Sequence, residues 1–385
     1  MPIQTLLHKT NLTKDDIIRL LNAVDDDEKM LFDFSGKIKL QNVGNTVYLR
    51  GLIELSNICE KDCYYCGIRK SNINVKRYNI SEEETLEAVR IAYEKGYGSV
   101  AIQSGEVQSP AFTEKINRIL CKAMEISNGE LGITLSCGEQ TEATYRKWFN
   151  SGAKRYLLRV ETSNPELYRK LHPNTRKHSV EKRIEALETL KSVGYQTGTG
   201  VMIGLPFQTI EDLADDLLFM KNFDIVMCGM GPYIEHHETP LYQFKDELLP
   251  LGKRLNLALK MVAILRILMP DINIASTTAL QSIEKNARMR AIQIGANVLM
   301  PNITPRKYRD DYFLYENKPV SNQSNEDDLK VLEKSLAEIG CRIGYGEQGN
   351  SRRFYKNQLN PYPAFRIAFS FLNGFGGFKC FSRNL

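Results

Sequence analysis

The chain reads as a repeating alternation. Short apolar runs rich in β-branched residues end in polar or Gly-containing loops, and amphipathic stretches of helical period follow them. The runs fall at residues 46–56, 99–104, 132–136, 155–160, 196–203, 225–230, 272–276 and 297–300, and each is predicted to be a strand. Helices fill the gaps. Ser81-Glu82-Glu83-Glu84 reads as a capping box opening a helix that runs to Lys95, with Gly96 placed to end it. The stretch 181–193 ends similarly at Gly194, and 254–268 stops before Pro270. Strands alternating with helices predict parallel pairing through right-handed crossovers, and a closed α/β (β/α)8 TIM-type barrel is the economical solution. An open doubly wound sheet is the competing arrangement, and no GxGxxG or phosphate-loop motif favours it.

Three segments follow from this pattern. Residues 1–45 form an N-terminal helical segment, with short helices from Leu12 to about Phe34 and the acids Asp15 and Asp16 behind Thr13 at a helix start. Residues 46–320 form the barrel. Residues 321–385 form a C-terminal extension, with a helix at 326–339 and an irregular tail from Asn357 onward, rich in Phe, Gly and Asn.

Charge and composition then narrow the function classes. The 51 Lys and Arg against 46 Asp and Glu leave +5, spread along the chain, which is too weak and too even for a nucleic-acid surface. The first residues lack a secretory apolar stretch, and no run reaches the ~18 apolar residues that a membrane span needs. A cytoplasmic protein without nucleic-acid or membrane partners is expected. There, eight cysteines are expected to be thiols or metal ligands rather than disulfides.

Three of them fall together in Cys59-Glu60-Lys61-Asp62-Cys63-Tyr64-Tyr65-Cys66. Thiolates so spaced on a loop can converge on one inorganic centre. No His lies between Ser56 and Asn79 to serve as a fourth ligand. Zinc in a closed structural site takes four protein ligands, so a zinc reading needs a distant cysteine. A [4Fe–4S] cube held by three thiolates keeps one iron open. The loop follows the first strand, and chemistry on barrels gathers after the C-terminal ends of the strands. Tyr65 can place its ring beside a bound base.

Cys59, Cys63 and Cys66 match the CX3CX2C loop of the radical S-adenosylmethionine (radical SAM) superfamily. Within it the chain resembles the biotin-synthase-like group and looks most like the HydE family of [FeFe]-hydrogenase maturases. The likeness runs from about Asp15 to Phe354. It includes Ile53-Glu54-Leu55-Ser56-Asn57, Gln103-Ser104-Gly105-Glu106, Arg155-Tyr156-Leu157-Leu158-Arg159, Gly204-Leu205-Pro206 with Gln208-Thr209, and Ala296-Asn297-Val298-Leu299-Met300-Pro301-Asn302. The resemblance implies a [4Fe–4S] cluster and S-adenosylmethionine (SAM), whose amino and carboxylate groups chelate the open iron. Reductive cleavage to methionine and a 5′-deoxyadenosyl radical follows. It also implies a small organometallic or amino-acid-derived substrate, foremost an iron complex bearing CO, cyanide and cysteine. The partners implied are the maturases HydG and HydF and an electron donor.

The strand ends supply candidate contacts. In Ser104-Gly105-Glu106, Gly admits the methionyl ammonium and oxygens accept from it. Arg159 and Glu161, at alternate positions, share a strand face; a structural ion pair is the bland reading, and the resemblance has Glu161 binding the ligand's polar groups. The same resemblance makes Arg183 the partner of the methionyl carboxylate. Relatives often carry His where Val160 stands. Met202 packs on the nucleoside or fills the core. Ser276, Thr277 and Thr278 are expected to form an anion pocket. Thr304, Tyr308 and Tyr312 are expected to meet substrate, with structural hydroxyls as the alternative. Relatives have Pro-His-Pro-Asp where this chain has Glu235-His236-His237-Glu238. A metal there is disfavoured because neighbouring side chains of an extended segment point oppositely.

Rival readings remain at this level. A biotin-synthase second cluster lacks cysteines, with Ala101 and Thr197 at the comparable places and Cys137 alone. Cys341 and Cys380 are isolated, and Cys121 and Cys228 read as core thiols. A 3-methylornithine-synthase-like lysine mutase and a non-enzymatic metal or iron–sulfur scaffold are the alternatives.

Overall fold

The computed structural model describes residues 2–316, 318 and 325–359. Eight parallel strands close into a barrel: β1 (Thr46–Ser56), β2 (Ser99–Ser104), β3 (Gly132–Ser136), β4 (Ala153–Leu157), β5 (Gln196–Thr199), β6 (Met227–Cys228), β7 (Asn273–Ser276) and β8 (Val298–Leu299). Closure is made by β8 pairing with β1, Tyr48 opposite Val298 and Leu49 opposite Leu299. Parallel strands covered on both faces are continuously apolar, and β1 is buried along nearly its whole length.

Several strands are shorter than their apolar runs. The strand expected over 155–160 runs from Ala153 to Leu157. The one expected over 196–203 is interrupted at Gly200, where a Cβ would lie 2.0 Å from the Gly229 carbonyl oxygen. Periodicity reports burial, and these segments stay buried after their ladder pairing stops. At Ser81 only half of the expected capping box forms. Its side chain accepts from the Glu84 amide, but the Glu84 carboxylate is drawn to Lys307 and the Tyr308 hydroxyl. Full boxes form instead at Thr13, opening Lys14–Leu21, and at Thr209, opening Ile210–Phe223. The N-terminal helices also reach further than the pattern implied: Asp25–Val43 is one helix of 19 residues. Cys121, expected in the core, lies exposed on the outer face of Pro110–Ile126.

The C-terminal extension contributes the helix Asn325–Glu338, the strand β9 (Arg342–Ile343) and the helix Arg352–Leu359. The irregular tail expected from Asn357, with Cys380, lies from residue 360 onward outside the described residues. β9 went unforeseen; it pairs with β1 at Thr46 and Val47. The chain after it seals the N-terminal end of the barrel. Arg50 on β1 donates to the Gly349 carbonyl, Arg155 on β4 to the Gln348 carbonyl and Asn350, Gln196 on β5 to Asn350, and Asn273 on β7 to the Gly349 carbonyl. Asn350 joins two strands through one amide oxygen. Truncating it strands buried donors, so Asn350→Ala is expected to cost about 1–3 kcal/mol, read as a lower urea midpoint. An unchanged midpoint would show that the seal carries no stability.

Candidate active site

The cysteine loop spans residues 57–79 at the C-terminal end of β1, and its shape is held by polar groups. Asn57 donates to the carbonyls of Lys76 and Asp311, and its own side-chain oxygen accepts from the Tyr78 amide at 2.8 Å. The Arg77 guanidinium donates to the carbonyls of Asn57 (2.6 Å), Ile68 (2.8 Å), Arg69 (2.7 Å) and Asn72 (3.1 Å). Such a fork of five donors can gather carbonyls that a loop leaves unpaired. Gly67 is needed for the turn to sit against the chain, because a Cβ there would lie 2.1 Å from the Phe313 carbonyl oxygen.

The three thiols point inward and are desolvated. Burial raises the Cys59 thiol, pushes Cys63 up to about 12 with Cys59 adding to the effect, and raises Cys66 strongly. Thiols in this state want a cationic centre to take them as thiolates. Among the described residues no group of three or more His, Cys, Asp or Glu is placed to hold one metal ion. A zinc ion at ~2.3 Å from each sulfur needs such a tight group, whereas a cubane gives each thiolate its own iron. The donor set fits a three-thiolate cluster. The Glu106 amide donates to Cys59 Sγ at 3.3 Å, and Gly105 lets β2 close on the loop, since a Cβ would lie 2.2 Å from the Ile58 carbonyl oxygen.

Beside the thiols stands a buried ring of four charges. Lys61 lies 3.1 Å from Glu106 and 3.0 Å from Glu139, and Arg183 lies 3.3 Å from Glu106 and 2.9 Å from Glu139. Ions taken from water are tolerated when paired in this way. The Glu139 contact to the Arg183 Nε is close but misaligned, and that Nε lacks a hydrogen-bond partner. Lys61 and Glu139 escaped the sequence reading. Their signals were available: a lone cation between two cysteines, and an acid just after the end of β3.

Arg159 and Glu161 meet at 2.8 Å, but not as alternate residues of a strand. β4 has ended by then, and Glu161 adopts a left-handed backbone with φ 66°, uncommon for a non-glycine residue. Burial raises its carboxyl above the usual range, against the pull of Arg159 and Arg183. Met202 joins the cavity wall near them. Tyr65 meets His172 edge-on, ring centroids 5.4 Å apart. Burial drops His172 to about 3, so it is neutral; its Nδ1–H donates to the Tyr168 carbonyl, leaving Nε2 to accept from the Tyr65 hydroxyl at 3.4 Å. His172 was likewise missed, being a lone His on a helix end.

A cavity of about 350 Å³ runs from the cysteines down the barrel. Ser104, Gly105, Glu106, Arg159, Glu161 and Arg183 line its upper part, and Thr277, Thr278 and Tyr312 its side. Three expected substrate contacts are turned elsewhere. Ser276 donates to the Arg288 carbonyl, Thr304 accepts from the Glu54 amide, and Tyr308 stacks on Tyr78 and donates to Glu84. Each hydroxyl ties neighbouring backbone or helix together outside the cavity wall. His236 and His237 do not point oppositely, since the segment turns and their rings stack 5.0 Å apart. Their nitrogens are engaged separately, with the Glu238 amide and with Glu316. At the cavity floor Arg50 is buried, and among the described residues neither it nor the neighbouring Arg155 pairs with a carboxylate.

Residues 53–220 match the model of the Radical SAM superfamily. The [FeFe] hydrogenase maturase subunit HydE of Thermotoga maritima is 43% identical over 324 residues, 84% of this chain and 89% of that protein. A 3-methylornithine synthase of Methanosarcina acetivorans is 28% identical over 77% of this chain and 81% of its own. In structure, methylornithine synthase (PylB) superposes with TM-score 0.75 at 24% identity, over 90% of this chain and 98% of its own. The maturase HydG from Carboxydothermus hydrogenoformans does so with TM-score 0.75 at 20% identity, over 89% and 78%. The two structural likenesses carry the fold, while the HydE identity extends over 84% of this chain. This chain therefore belongs to the HydE family of the radical SAM superfamily and is a radical enzyme dependent on a [4Fe–4S] cluster and S-adenosylmethionine.

Proposed function

We propose that this chain cleaves SAM reductively and directs the radical onto a small iron complex bearing CO, cyanide and cysteine, a precursor of the di-iron part of the [FeFe]-hydrogenase H-cluster. Cys59, Cys63 and Cys66 would hold the cluster. When bound, the reduced cluster supplies the electron that splits the C5′–S bond of SAM into methionine and a 5′-deoxyadenosyl radical. The chain's own residues do the rest. Arg183 receives the methionyl carboxylate, Ser104 and the Gly105 backbone receive the ammonium, and Glu161 binds further polar groups of the ligand. Tyr65 and Met202 flank the nucleoside. The barrel wall excludes water from a primary radical that would attack almost anything. Supply of the complex by HydG, delivery to HydF and an external electron donor complete the reading.

The observation that carries the substrate choice is the charge of the cavity. Each carboxylate lining it already faces a cation: Glu54 with Lys318, Glu106 with Lys61 and Arg183, Glu161 with Arg159. The floor adds the Arg50 guanidinium, which faces no carboxylate among the described residues. A free lysine brings two ammonium groups that would find no open acid there, whereas cyanide and carboxylate ligands of an anionic complex suit it. Thr277 and Thr278 line the same side, their hydroxyls bonded to the Met230 carbonyl and the Tyr315 hydroxyl.

Cys63→Ser is expected to lower iron and sulfide content after anaerobic reconstitution and to cut 5′-deoxyadenosine production by about a hundredfold or more. Retained nucleoside production would remove the cluster from the reading. Incubating the reduced protein with SAM and lysine is expected to give no 3-methylornithine by mass spectrometry; its formation would establish the mutase instead. Glu139→Gln leaves Arg183 and Lys61 less well held. It should raise the KM for SAM by about tenfold, as loss of one charge-assisted bond does, with iron content unchanged.

A further inference from the structure

Glu161 keeps a left-handed backbone conformation that a non-glycine residue holds only where its surroundings fix it. Part of that fixing is local. Val160 and Glu161 both donate to the Gly200 carbonyl at 3.1 Å, and Met202 donates to the Glu161 carbonyl at 3.0 Å. These bonds anchor one side of Glu161. The residues that follow it, Thr162-Ser163-Asn164, have no strand to lie on.

They are held instead by the outer helix Ile210–Phe223. Asp216, fully buried, accepts from the Ser163 amide at 2.5 Å and from the Ser163 hydroxyl at 2.7 Å, both on Oδ1. One helical turn earlier, Asp212 accepts from the Asn164 side-chain amide at 2.6 Å. Residues four apart share a helix face, so the two acids act as a two-point clamp on the turn behind Glu161. Asn164 in turn caps the helix Pro165–Leu171, which carries Tyr168 toward His172.

Burying a carboxylate is costly, and the second oxygen of Asp216 has no hydrogen-bond partner. We propose that Asp216 is a positioning residue for SAM binding: it fixes the Ser163 turn and thereby aims the Glu161 side chain into the cavity. This rests on the reading of Glu161 as a contact of SAM. The helix thus reaches the site through backbone geometry, without touching the ligand. Burial pushes the Asp216 carboxyl up to about 7, with Asp212 and Asp215 adding to the shift. Near neutrality its role is that of an oxygen acceptor, which an amide can also fill.

The test uses the full chain, anaerobically reconstituted, as wild type, Asp216→Ala, Asp216→Asn, Ser163→Ala and Glu161→Gln. Each is assayed for iron content, for 5′-deoxyadenosine formation against SAM concentration, and for the change that SAM makes in the electron paramagnetic resonance of the reduced cluster. Asp216→Ala is expected to raise the KM for SAM about tenfold, with iron content kept and the maximal rate within about threefold. Asp216→Asn is expected to recover most of the affinity, because its amide oxygen accepts the same bonds. Wild-type KM in Asp216→Ala, or equal losses of iron and activity in the alanine and asparagine variants, would overturn the proposal. If Asp216→Ala does not fold, Ser163→Ala carries the comparison, with about a threefold rise expected and no change overturning it. A raised KM in Glu161→Gln beside an unaffected Asp216→Ala sinks the positioning role alone. An unaffected Glu161→Gln sinks the contact on which it rests.

Discussion

Three desolvated thiols on a loop that meets no fourth ligand among the described residues must be arranged by the polypeptide itself. The Arg77 guanidinium meets that demand by gathering four carbonyls of the loop, with Asn57 fastening both of its ends. A loop whose polar backbone is satisfied internally can afford to aim its sulfurs at the barrel mouth. Everything downstream depends on this: where the three sulfurs meet the cavity, and the alignment of the cavity below them.

The barrel then distributes charge by depth. At the mouth lie the thiols and the ring formed by Lys61, Glu106, Glu139 and Arg183, which is neutral as a whole. Breaking one member of a buried ion group leaves the remainder uncompensated, which costs more than the group contributes intact. Midway, the early ends of β4 and β5 free Glu161 to turn inward beside Arg159. At the floor the Arg50 and Arg155 guanidiniums rest on carbonyls of the segment that seals the barrel. The gradient from a neutral mouth to a cationic floor suits a zwitterionic ligand above an anionic substrate.

Much of this was legible in the sequence, for identifiable reasons. Apolar runs located all eight strands because each is buried on both faces. The cysteine spacing marked the loop, and Arg183 and Glu161, picked out by resemblance, both line the cavity. What escaped reading was long-range. Tyr308 and Ser276 were expected to meet substrate, but their partners Glu84 and Arg288 lie on other elements, and only the fold reveals which way each side chain turns. Glu139 acts through partners far along the chain, and Arg77 through carbonyls of its own irregular loop, so no local period marks either of them. Helical amphipathicity placed Cys121 in the core, yet it fell one position off the buried face formed by Ile116, Ile119, Leu120 and Ala123. β9 is two residues long, too short to show a period.

The central claim is that one iron of a three-thiolate cluster is left for SAM. Electron–nuclear double resonance on the reduced, reconstituted protein, with SAM labelled by 15N at its amino group and 17O at its carboxylate, addresses it directly. Hyperfine coupling of both labels to the cluster is the predicted result. A cluster that shows neither coupling, or whose fourth iron carries a ligand from the protein, would contradict the account.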